Sequence, residues 1–405
     1  MEHFVIVGSG VAAVHAAKAI RDHDRDAEIF ILGEEDHLPY NRIKLTKGLF
    51  SDLYSEKVLI KKEKWYRENN ISIKTGTRIV SVNTDGKTVE TADGSLIPYH
   101  KLLLCMGATN RTLSMEGAGL KNVHTLRDLR DADQLKSSLE SGTHAVIIGG
   151  GVQGLETAWA LFEAGCKVSV IEAFPRFMGR QLDERSSRIL QEKMEHAGVS
   201  ITLNAAVAAI SGTEQVQGVV LADGSVIPCQ HVVYSIGIVP NTALIKNTEI
   251  EVRNGVIVNE KMETSVEHVY AAGDLAEFNG CVEGLWGGAI EQGKIAGANM
   301  AASTAVYEKA IPVTLFNAFG TSLFSMGLVD ESQCDYSVKS EEDGVYTRIF
   351  VKDHTMVGVI SFEGAAASLP YKSAIEHKIS LAGLDLQNIS VADLMNSIQK
   401  ELNVV

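Results

Sequence analysis

The most constraining feature of this chain is a glycine-rich segment that occurs twice, near the N-terminus and again after residue 148. The first copy, Gly8-x-Gly10-x-x-Ala13, follows an apolar run and precedes a stretch with helical periodicity. A strand, a glycine turn and a helix in this order form a dinucleotide-binding βαβ unit, in which the helix N-terminus attracts a pyrophosphate. Acidic residues at 34–36 follow the second predicted strand, where a carboxylate can hold a ribose.

The second copy, GGGVQG at residues 149–154, has the complete glycine pattern and also lies between a predicted strand and a predicted helix. The next predicted strand ends at Glu172. A carboxylate at this position can accept hydrogen bonds from an adenosine ribose and would repel a 2′-phosphate, so it favours NADH. Arg176 and Arg180 follow closely, and because guanidinium groups bind phosphate, NADPH stays open.

Two nucleotide sites on one chain require an explanation, because an enzyme that uses only a nicotinamide nucleotide needs one site. The simplest explanation is that FAD occupies the first site and NAD(P)H the second, with a hydride passing between them. The sequence therefore predicts an NAD(P)H-dependent flavoprotein reductase.

The order of the predicted elements indicates an α/β fold with two Rossmann-like domains and a third part. The FAD-binding domain is discontinuous and takes residues 1–110 and 236–310. The NAD(P)H-binding domain takes residues 111–235. From 311 to 405 the pattern changes to strand-like segments and then helices, the first of them near 372–382, which predicts a C-terminal α/β domain.

Charge and cysteine content disfavour several other functions. The net charge of −14 argues against general nucleic-acid binding, which requires a basic surface. The five cysteines are scattered and form no C-x-x-C pair, so we predict neither a disulfide framework nor a local redox disulfide. No histidine or cysteine cluster has metal-ligand spacing, and no apolar run reaches the roughly 18 residues of a membrane span. The apolar N-terminus runs into the glycine turn and indicates a strand, not a signal peptide. We expect a cytoplasmic protein without a metal site.

Six further motifs accompany the two glycine segments. They are PYNRxxLTK at 39–47, LLLCMGA at 102–108, TLR at 125–127, SIGIVPN at 235–241, YAAGD at 270–274 and WxxAxxQG at 286–293. Together these motifs resemble the FAD-dependent pyridine-nucleotide oxidoreductases. Within that family they are most similar to the branch of rubredoxin reductases, ferredoxin reductases and the flavin-binding N-terminal part of assimilatory NAD(P)H nitrite reductase.

The resemblance implies which residues bind the two cofactors. For FAD they are Gly8, Gly10, Ala13, Glu35, Arg42, Lys47, Gly107, Gly273, Asp274 and Trp286. For NADH they are Gly149, Gly151, Gly154 and Glu172. Among the FAD residues, Glu35 is expected at the ribose and Asp274 at the ribityl or pyrophosphate portion.

The resemblance also implies a catalytic pair, Lys47 and Glu156. In the family, a lysine near the flavin N5 forms an ion pair with a glutamate at the end of the second glycine segment. Such a pair is chemically sensible, because a cation stabilises negative charge on a reduced flavin and a carboxylate fixes the lysine.

The electron acceptor is the least constrained part of the prediction. Family members that reduce disulfides or peroxide carry a cysteine beside the flavin, whereas the segment before Tyr40 has none. We therefore expect electrons to leave singly to a rubredoxin-like or ferredoxin-like protein. An electron-input subunit of nitrite or nitrate assimilation and a slowly turning redox sensor are the alternatives. The lysines around Lys61 and Lys62 are either a docking face for an acidic carrier or a solvated helix face. The oligomeric state stays open, with a homodimer as one alternative.

Overall fold

The computed structural model describes residues 2–402, which divide between two compact units. The first unit takes the ranges 2–45, 52–111 and 237–310, and the second takes 46–51, 112–236 and 311–402. The predicted α/β fold is confirmed, because both units contain a parallel sheet with helices. The division into three domains at the predicted boundaries stays a prediction.

The elements follow one another along the chain. The strands are β1 (His3–Val7), β2 (Glu28–Leu32), β3 (Ile71–Lys74), β4 (Ile79–Asn83), β5 (Thr88–Thr91), β6 (Leu96–Pro98), β7 (Lys101–Leu104), β8 (Ala108–Asn110), β9 (Val123–His124), β10 (His144–Ile148), β11 (Lys167–Ile171), β12 (Ser200–Thr202), β13 (Val207–Gly212), β14 (Val216–Leu221), β15 (Val226–Pro228), β16 (His231–Tyr234), β17 (Ile238–Pro240), β18 (Val256–Val258), β19 (Val269–Ala271), β20 (Ala276–Phe278), β21 (Val313–Ala318), β22 (Thr321–Gly327), β23 (Tyr336–Glu342), β24 (Val345–Lys352) and β25 (Thr355–Ser361). The α-helices are α1 (Val11–His23), α2 (Lys44–Lys47), α3 (Glu63–Glu68), α4 (Leu129–Ser138), α5 (Val152–Glu163), α6 (Glu184–Ala197), α7 (Trp286–Met300), α8 (Ser368–Glu376) and α9 (Val391–Leu402).

The first unit is built on a parallel sheet with the strand order β19-β7-β1-β2-β3. Its central strand β1 is almost entirely buried, as expected for a parallel strand covered on both faces. The carboxyl ends of parallel strands meet at one edge of a sheet. The segments that follow β1, β7 and β19 therefore lie at the same edge, which is where ligands bind in open α/β sheets.

Helices α1 and α7 of the first unit pack with their backbones in close contact. A Cβ atom at Gly293 would lie 2.4 Å from the carbonyl oxygen of Ala12, and one at Gly297 would lie 2.3 Å from that of Ala16. Only glycine allows this approach, so two glycines one helical turn apart fix the distance between the helices. The start of α1 is thereby held against the body of α7.

The second unit repeats the parallel sheet, here with the order β12-β11-β10-β16-β9. Strands β10 and β11 pair in parallel over their whole length, from His144 opposite Lys167 to Ile148 opposite Ile171. A three-stranded antiparallel sheet, β13-β14-β15, belongs to the same unit.

The C-terminal part of the second unit is an antiparallel sheet with the order β21-β22-β25-β24-β23, followed by two helices. This agrees with the predicted strands-then-helices pattern. The prediction of a helix near 372–382 was wrong in its limits, since α8 begins at Ser368 and ends at Glu376. Pro370 is tolerated in the first turn, and Lys378, with a φ of +48°, adopts a left-handed conformation just past the helix end.

Among residues 2–402, the structure contains no helix that is long and apolar enough to cross a bilayer.

Candidate functional site

The first glycine segment forms an open turn at the carboxyl edge of the first unit's sheet, which we call the first cradle. Gly8 follows β1 with a φ of +111°, and a Cβ there would lie 2.3 Å from the carbonyl oxygen of Cys105. Gly10 is the N-cap of α1 and provides no side-chain cap, while a Cβ there would meet no atom within 4 Å. Ala13 is fully buried. The amide end of a 13-residue helix thus faces open space, and this geometry fits a pyrophosphate.

Glu35 belongs to a cluster of three side chains in the same unit, with Tyr40 and Arg42. The hydroxyl of Tyr40 donates a hydrogen bond of 2.8 Å to Oε2 of Glu35, and Arg42 forms an ion pair with Oε1. Arg42 also donates to the Tyr40 hydroxyl over 3.0 Å, and its guanidinium lies 4.9 Å from the centroid of the tyrosine ring. Glu35 and Arg42 were both predicted as site residues from the sequence, whereas Tyr40 was assigned no role. The signal that could have identified Tyr40 is an aromatic residue two places before the arginine.

Asp274 lies in a short 3₁₀ turn, Gly273–Leu275, directly after β19. Gly273 has a φ of +77°, and its N–H donates a 2.8 Å hydrogen bond to Oε1 of Gln292 on α7. A Cβ at Gly273 would lie 3.4 Å from the Cβ of Ala12, which places this turn beside the start of α1. The structure thus brings the predicted residues near 8–13 and near 273 together. The buried Gln292 is a contact that the predicted site lacked.

Gly107 and Trp286 complete the predicted FAD set. Gly107 follows β7 with a φ of +66°, and its carbonyl accepts a 3.0 Å hydrogen bond from the N–H of Asn241. Trp286 is the first residue of α7 and packs, partly buried, against the core of the first unit. Gly107 therefore lies at the same sheet edge as the first cradle.

The second glycine segment forms a second cradle, in the second unit. Gly149 has a φ of +112°, and a Cβ there would lie 2.3 Å from the carbonyl oxygen of Ser235. A Cβ at Gly154 would lie only 2.0 Å from the carbonyl oxygen of Gly149, whereas a Cβ at Gly151 would meet nothing within 4 Å. Gly151 is the N-cap of α5 and provides no side-chain cap. Gly149 thus allows a tight turn, Gly151 leaves the cradle open, and Gly154 allows α5 to pack closely against that turn.

Glu172 lies immediately after β11 and points to the second cradle. Its Oε2 accepts the N–H of Gly150 over 2.6 Å, and its Oε1 accepts the N–H of Phe174 over 2.9 Å. Each carboxylate oxygen keeps further acceptor capacity, which suits a vicinal diol. Arg176 and Arg180, which left NADPH open, are both exposed on the following loop.

Lys47 and Glu156 come together in the second unit, although they are far apart in sequence. Nζ of Lys47 lies 3.3 Å from Oε1 of Glu156 and donates a 2.9 Å hydrogen bond to the carbonyl of Leu315. The hydroxyl of Thr46 donates a 2.6 Å hydrogen bond to Oε2 of Glu156. Burial raises the pKa of this carboxyl, while Thr46 and Lys47 oppose the shift. Thr46 was missed as a site residue, although it belongs to the LTK motif.

All five cysteines of the chain are free. Cys105 is buried, and its thiol lies 3.8 Å from the carbonyl oxygen of Gly8. Burial raises the pKa of the Cys105 thiol well above its ordinary value, so it is a poor nucleophile. Across residues 2–402, no group of three or more metal-ligating side chains is arranged to hold a metal ion.

Comparison with known proteins gives matches along almost the whole chain. Residues 2–305 match the family model of the pyridine nucleotide-disulphide oxidoreductases, and residues 312–379 match that of the rubredoxin NAD+ reductase C-terminal domain. A nitrite reductase (NAD(P)H) of Bacillus subtilis is 36% identical over 365 residues, which are 89% of this chain and 45% of that protein. The chain spans about half the length of this relative and of the B. subtilis assimilatory nitrate reductase electron transfer subunit.

Other relatives match over their full length. The NADH-rubredoxin oxidoreductase of Clostridium acetobutylicum is 30% identical over 397 residues, which cover 97% of this chain and 98% of that protein. A solved ferredoxin reductase from Rhodopseudomonas palustris has a TM-score of 0.87 at 26% identity and covers 98% of this chain and 99% of its own. With a family model matched over residues 2–305, this chain belongs to the pyridine nucleotide-disulphide oxidoreductase family, whose members are FAD- and NAD(H)-dependent enzymes.

Proposed function

We propose that this protein is an FAD-dependent NADH oxidoreductase that passes electrons singly to a small redox protein of the rubredoxin or ferredoxin type. One observation carries the proposal, namely that a single chain holds two open phosphate cradles at Gly10 and Gly151. Each begins a helix of at least 12 residues that has no side-chain cap. Two such ends on one chain suit two dinucleotides.

The cofactors are assigned by the residues around each cradle. We assign the cradle at Gly10 to FAD, because the turn that carries Asp274 lies beside the start of α1, and Glu35 and Arg42 belong to the same unit. We assign the cradle at Gly151 to NADH, with Glu172 at its ribose. When bound, FAD supplies the conversion of one hydride into two single electrons.

Lys47 and Glu156 are the residues to which we assign the chemistry. The Lys47 ammonium would stabilise negative charge that develops on the cofactor during hydride transfer. Glu156 holds the ammonium in place from a buried position, with 7% of its side chain exposed against 32% for Lys47. A buried carboxylate restricts the lysine to one geometry, which a solvated partner would not do.

The relatives support a protein carrier as the acceptor. The full-length relative of Clostridium acetobutylicum is named for its reaction with rubredoxin, and residues 312–379 match a domain named for rubredoxin reductases. The raised pKa of Cys105 disfavours a relay through this thiol, which lies beside Gly8. Five free cysteines also suit the reducing cytoplasm that we propose as its location.

Electron input to nitrite or nitrate assimilation is the second candidate. The observation in its favour is the 36% identity to the Bacillus subtilis nitrite reductase, which extends over 89% of this chain. In that case the acceptor would be a further redox module of the same system.

An anaerobic experiment tests the proposal. The purified yellow protein is titrated with NADH, then mixed by stopped flow with rubredoxin, with a 2Fe–2S ferredoxin, or with a siroheme nitrite reductase module. We expect NADH to bleach the flavin within seconds and rubredoxin or ferredoxin to reoxidise it. Reoxidation only by the siroheme module would establish the second candidate.

One control variant and two further outcomes keep the experiment decisive. A Cys105→Ala variant should retain the full rate of carrier reduction, since the proposal gives that thiol no role. Bleaching slower than about one per minute would favour the redox sensor, because enzymes typically turn over about 1–1000 times per second. A protein that cannot be reconstituted with FAD would refute the proposal.

A further inference from the structure

The loop 173–183 of the second unit connects β11 to α6 and contacts the second cradle at several points. Its start carries the Phe174 N–H that binds Glu172. In its middle, the N–H of Met178 donates a 2.9 Å hydrogen bond to the carbonyl of Gly150. The conformation of this loop therefore sets where the Glu172 carboxylate and the Gly150 peptide lie.

The loop adopts a backbone conformation that its own sequence does not favour. Met178 has a φ of +48°, in the left-handed region, although it is not a glycine. Its side chain and that of Phe177 are buried. A residue in this region persists only where surrounding contacts impose the conformation. The loop therefore needs support from outside itself.

The C-terminal sheet of the same unit provides that support. The hydroxyl of Ser325 on β22 donates a 2.6 Å hydrogen bond to the carbonyl of Gln181. The hydroxyl of Tyr346 on β24 donates a 2.6 Å bond to Oδ2 of Asp183, and Arg348 donates to the same oxygen over 2.9 Å. Asp183 is nearly buried, with 10% of its side chain exposed, so these bonds are shielded from water.

Asp183 also fixes the end of the loop against α6. Its carboxylate caps that helix by accepting the Ser186 N–H over 2.8 Å. One carboxylate thus joins the nucleotide-side loop, the next helix and two side chains of the C-terminal sheet. Arg348 is held in turn by Glu331 and by the Ser337 hydroxyl.

We propose that the C-terminal sheet holds loop 173–183 in its nucleotide-binding conformation, with Ser325, Tyr346 and Arg348 as positioning residues. None of the three need touch the nucleotide. They act through Gln181 and Asp183 on the loop that places Glu172. The inference rests on the proposed assignment of NADH to the second cradle and gives the C-terminal part of the chain a role in nucleotide affinity.

Two conservative variants test this positioning role. Tyr346→Phe removes only the hydroxyl that binds Asp183, and Ser325→Ala removes only the one that binds Gln181. Arg348 is left intact, because its removal would leave Asp183 buried without its cation. The matched controls are Tyr371→Phe, which removes a 2.8 Å bond to Glu363, and Ser361→Ala, which removes the bonds of that hydroxyl with Thr347 and Glu363. Both controls are buried in the same C-terminal part.

The full-length FAD-loaded protein is used, and NAD+ is the probe. We expect Tyr346→Phe and Ser325→Ala to weaken NAD+ binding by about twofold to tenfold, measured by calorimetry. This change corresponds to the free energy of ordering one or two side chains when the nucleotide binds. The KM for NADH should rise in parallel, while the limiting rate of flavin reduction stays unchanged. Hydrogen exchange measured by mass spectrometry should quicken in 173–183 in these variants and not in the controls.

The possible outcomes separate this inference from the proposed function. Unchanged NAD+ affinity in both variants would overturn the inference, as would an equal loss in the controls, which would indicate general loosening of the sheet. A fall in the limiting rate without a change in affinity would overturn it too. If the unmodified protein bound no NAD+ at all, the proposed function itself would fail.

Discussion

The hydroxyl of Thr46 donates its hydrogen bond to the oxygen of Glu156 that does not face Lys47. This bond lowers the pKa of a carboxyl that burial raises. As pH falls, a carboxyl with a raised pKa takes up its proton earlier than an ordinary glutamate, and the ion pair with Lys47 is lost. Thr46 therefore extends the pH range of the pair toward acid.

We expect Thr46→Val to move the acid limb of NADH-dependent flavin reduction to higher pH, because removal of the donor raises the Glu156 pKa further. Thr46→Ser keeps the hydroxyl and should restore the original profile. The measurement is the limiting rate of flavin reduction by stopped flow across the pH range. Identical profiles for the valine and serine variants would contradict this role of Thr46.

Loss of the Lys47 ammonium should lower the rate of flavin reduction without lowering the amount of FAD that the protein binds. We expect Lys47→Met to lower the limiting rate of flavin reduction by about 100-fold, which is typical for the loss of one electrostatic group in an active site. The flavin absorbance per protein should stay constant. Lys44→Met, at an exposed position of the same short helix, is the control and should keep the full rate. Equal rates in the two variants would exclude a catalytic role for Lys47.

Substitutions at two glycines of the second cradle should affect different properties, namely NAD+ binding at Gly151 and folding stability at Gly154. A methyl group at Gly151 meets no protein atom, so Gly151→Ala should fold normally and bind NAD+ more weakly, because the methyl fills the space left for phosphate. Gly154→Ala would place a methyl group 2.0 Å from a backbone oxygen and should lower the free energy of unfolding by about 1–3 kcal/mol. Denaturant titration and calorimetry measure the two effects. A stable Gly154→Ala protein would argue against the described helix packing.

Glu172 should control the choice between the two nicotinamide nucleotides. Glu172→Gln keeps the size of the side chain but removes the charge that repels a 2′-phosphate. With Arg176 and Arg180 nearby, we expect the ratio of kcat/KM for NADPH to that for NADH to rise about tenfold, or about 1.4 kcal/mol. Adding Arg176→Gln should cancel most of the gain. A ratio that does not move would place the ribose elsewhere.

A pair of histidines in the second unit should make it sensitive to acid. The rings of His124 and His231 stack with centroids 5.6 Å apart. Burial, and then the neighbouring His231, lower the pKa of His124 from 6.5 to about 4. Between these values the unfolded chain binds a proton that the folded protein does not. Stability is therefore full above pH 6.5 and falls as pH drops toward 4.

We expect the titration of His124 to lower the free energy of unfolding by about 1–3 kcal/mol between neutral pH and the pKa of His124 in the folded protein. The measurement is urea unfolding at several pH values for the unmodified protein and for His124→Gln. The difference between the two proteins isolates the histidine from other titrating groups. A pH-independent difference would show that His124 does not titrate as described.

Local signals in the sequence predicted those parts of the fold that depend on backbone chemistry. The glycines at 8 and 149 need left-handed conformations, so a strand–turn–helix could be predicted at both places. The Lys47–Glu156 pair came from family resemblance, since nothing local joins residues so far apart in sequence. The bond from Ser325 to Gln181 could not be predicted, because a serine hydroxyl on a strand has many equivalent partners until the sheet is packed.

The backbone contact between α1 and α7 has a consequence for cofactor exchange. Gly293 and Gly297 leave no side chain between the helices that could swing aside, so they separate as a whole or not at all. The start of α1 forms the first cradle, and the turn with Gly273 lies against α1 at Ala12. The cradle itself is open, so a ligand can leave it while the helices stay paired. Its residence time is then set by the strength of its own contacts, and the helix pair serves to keep the cradle in one geometry.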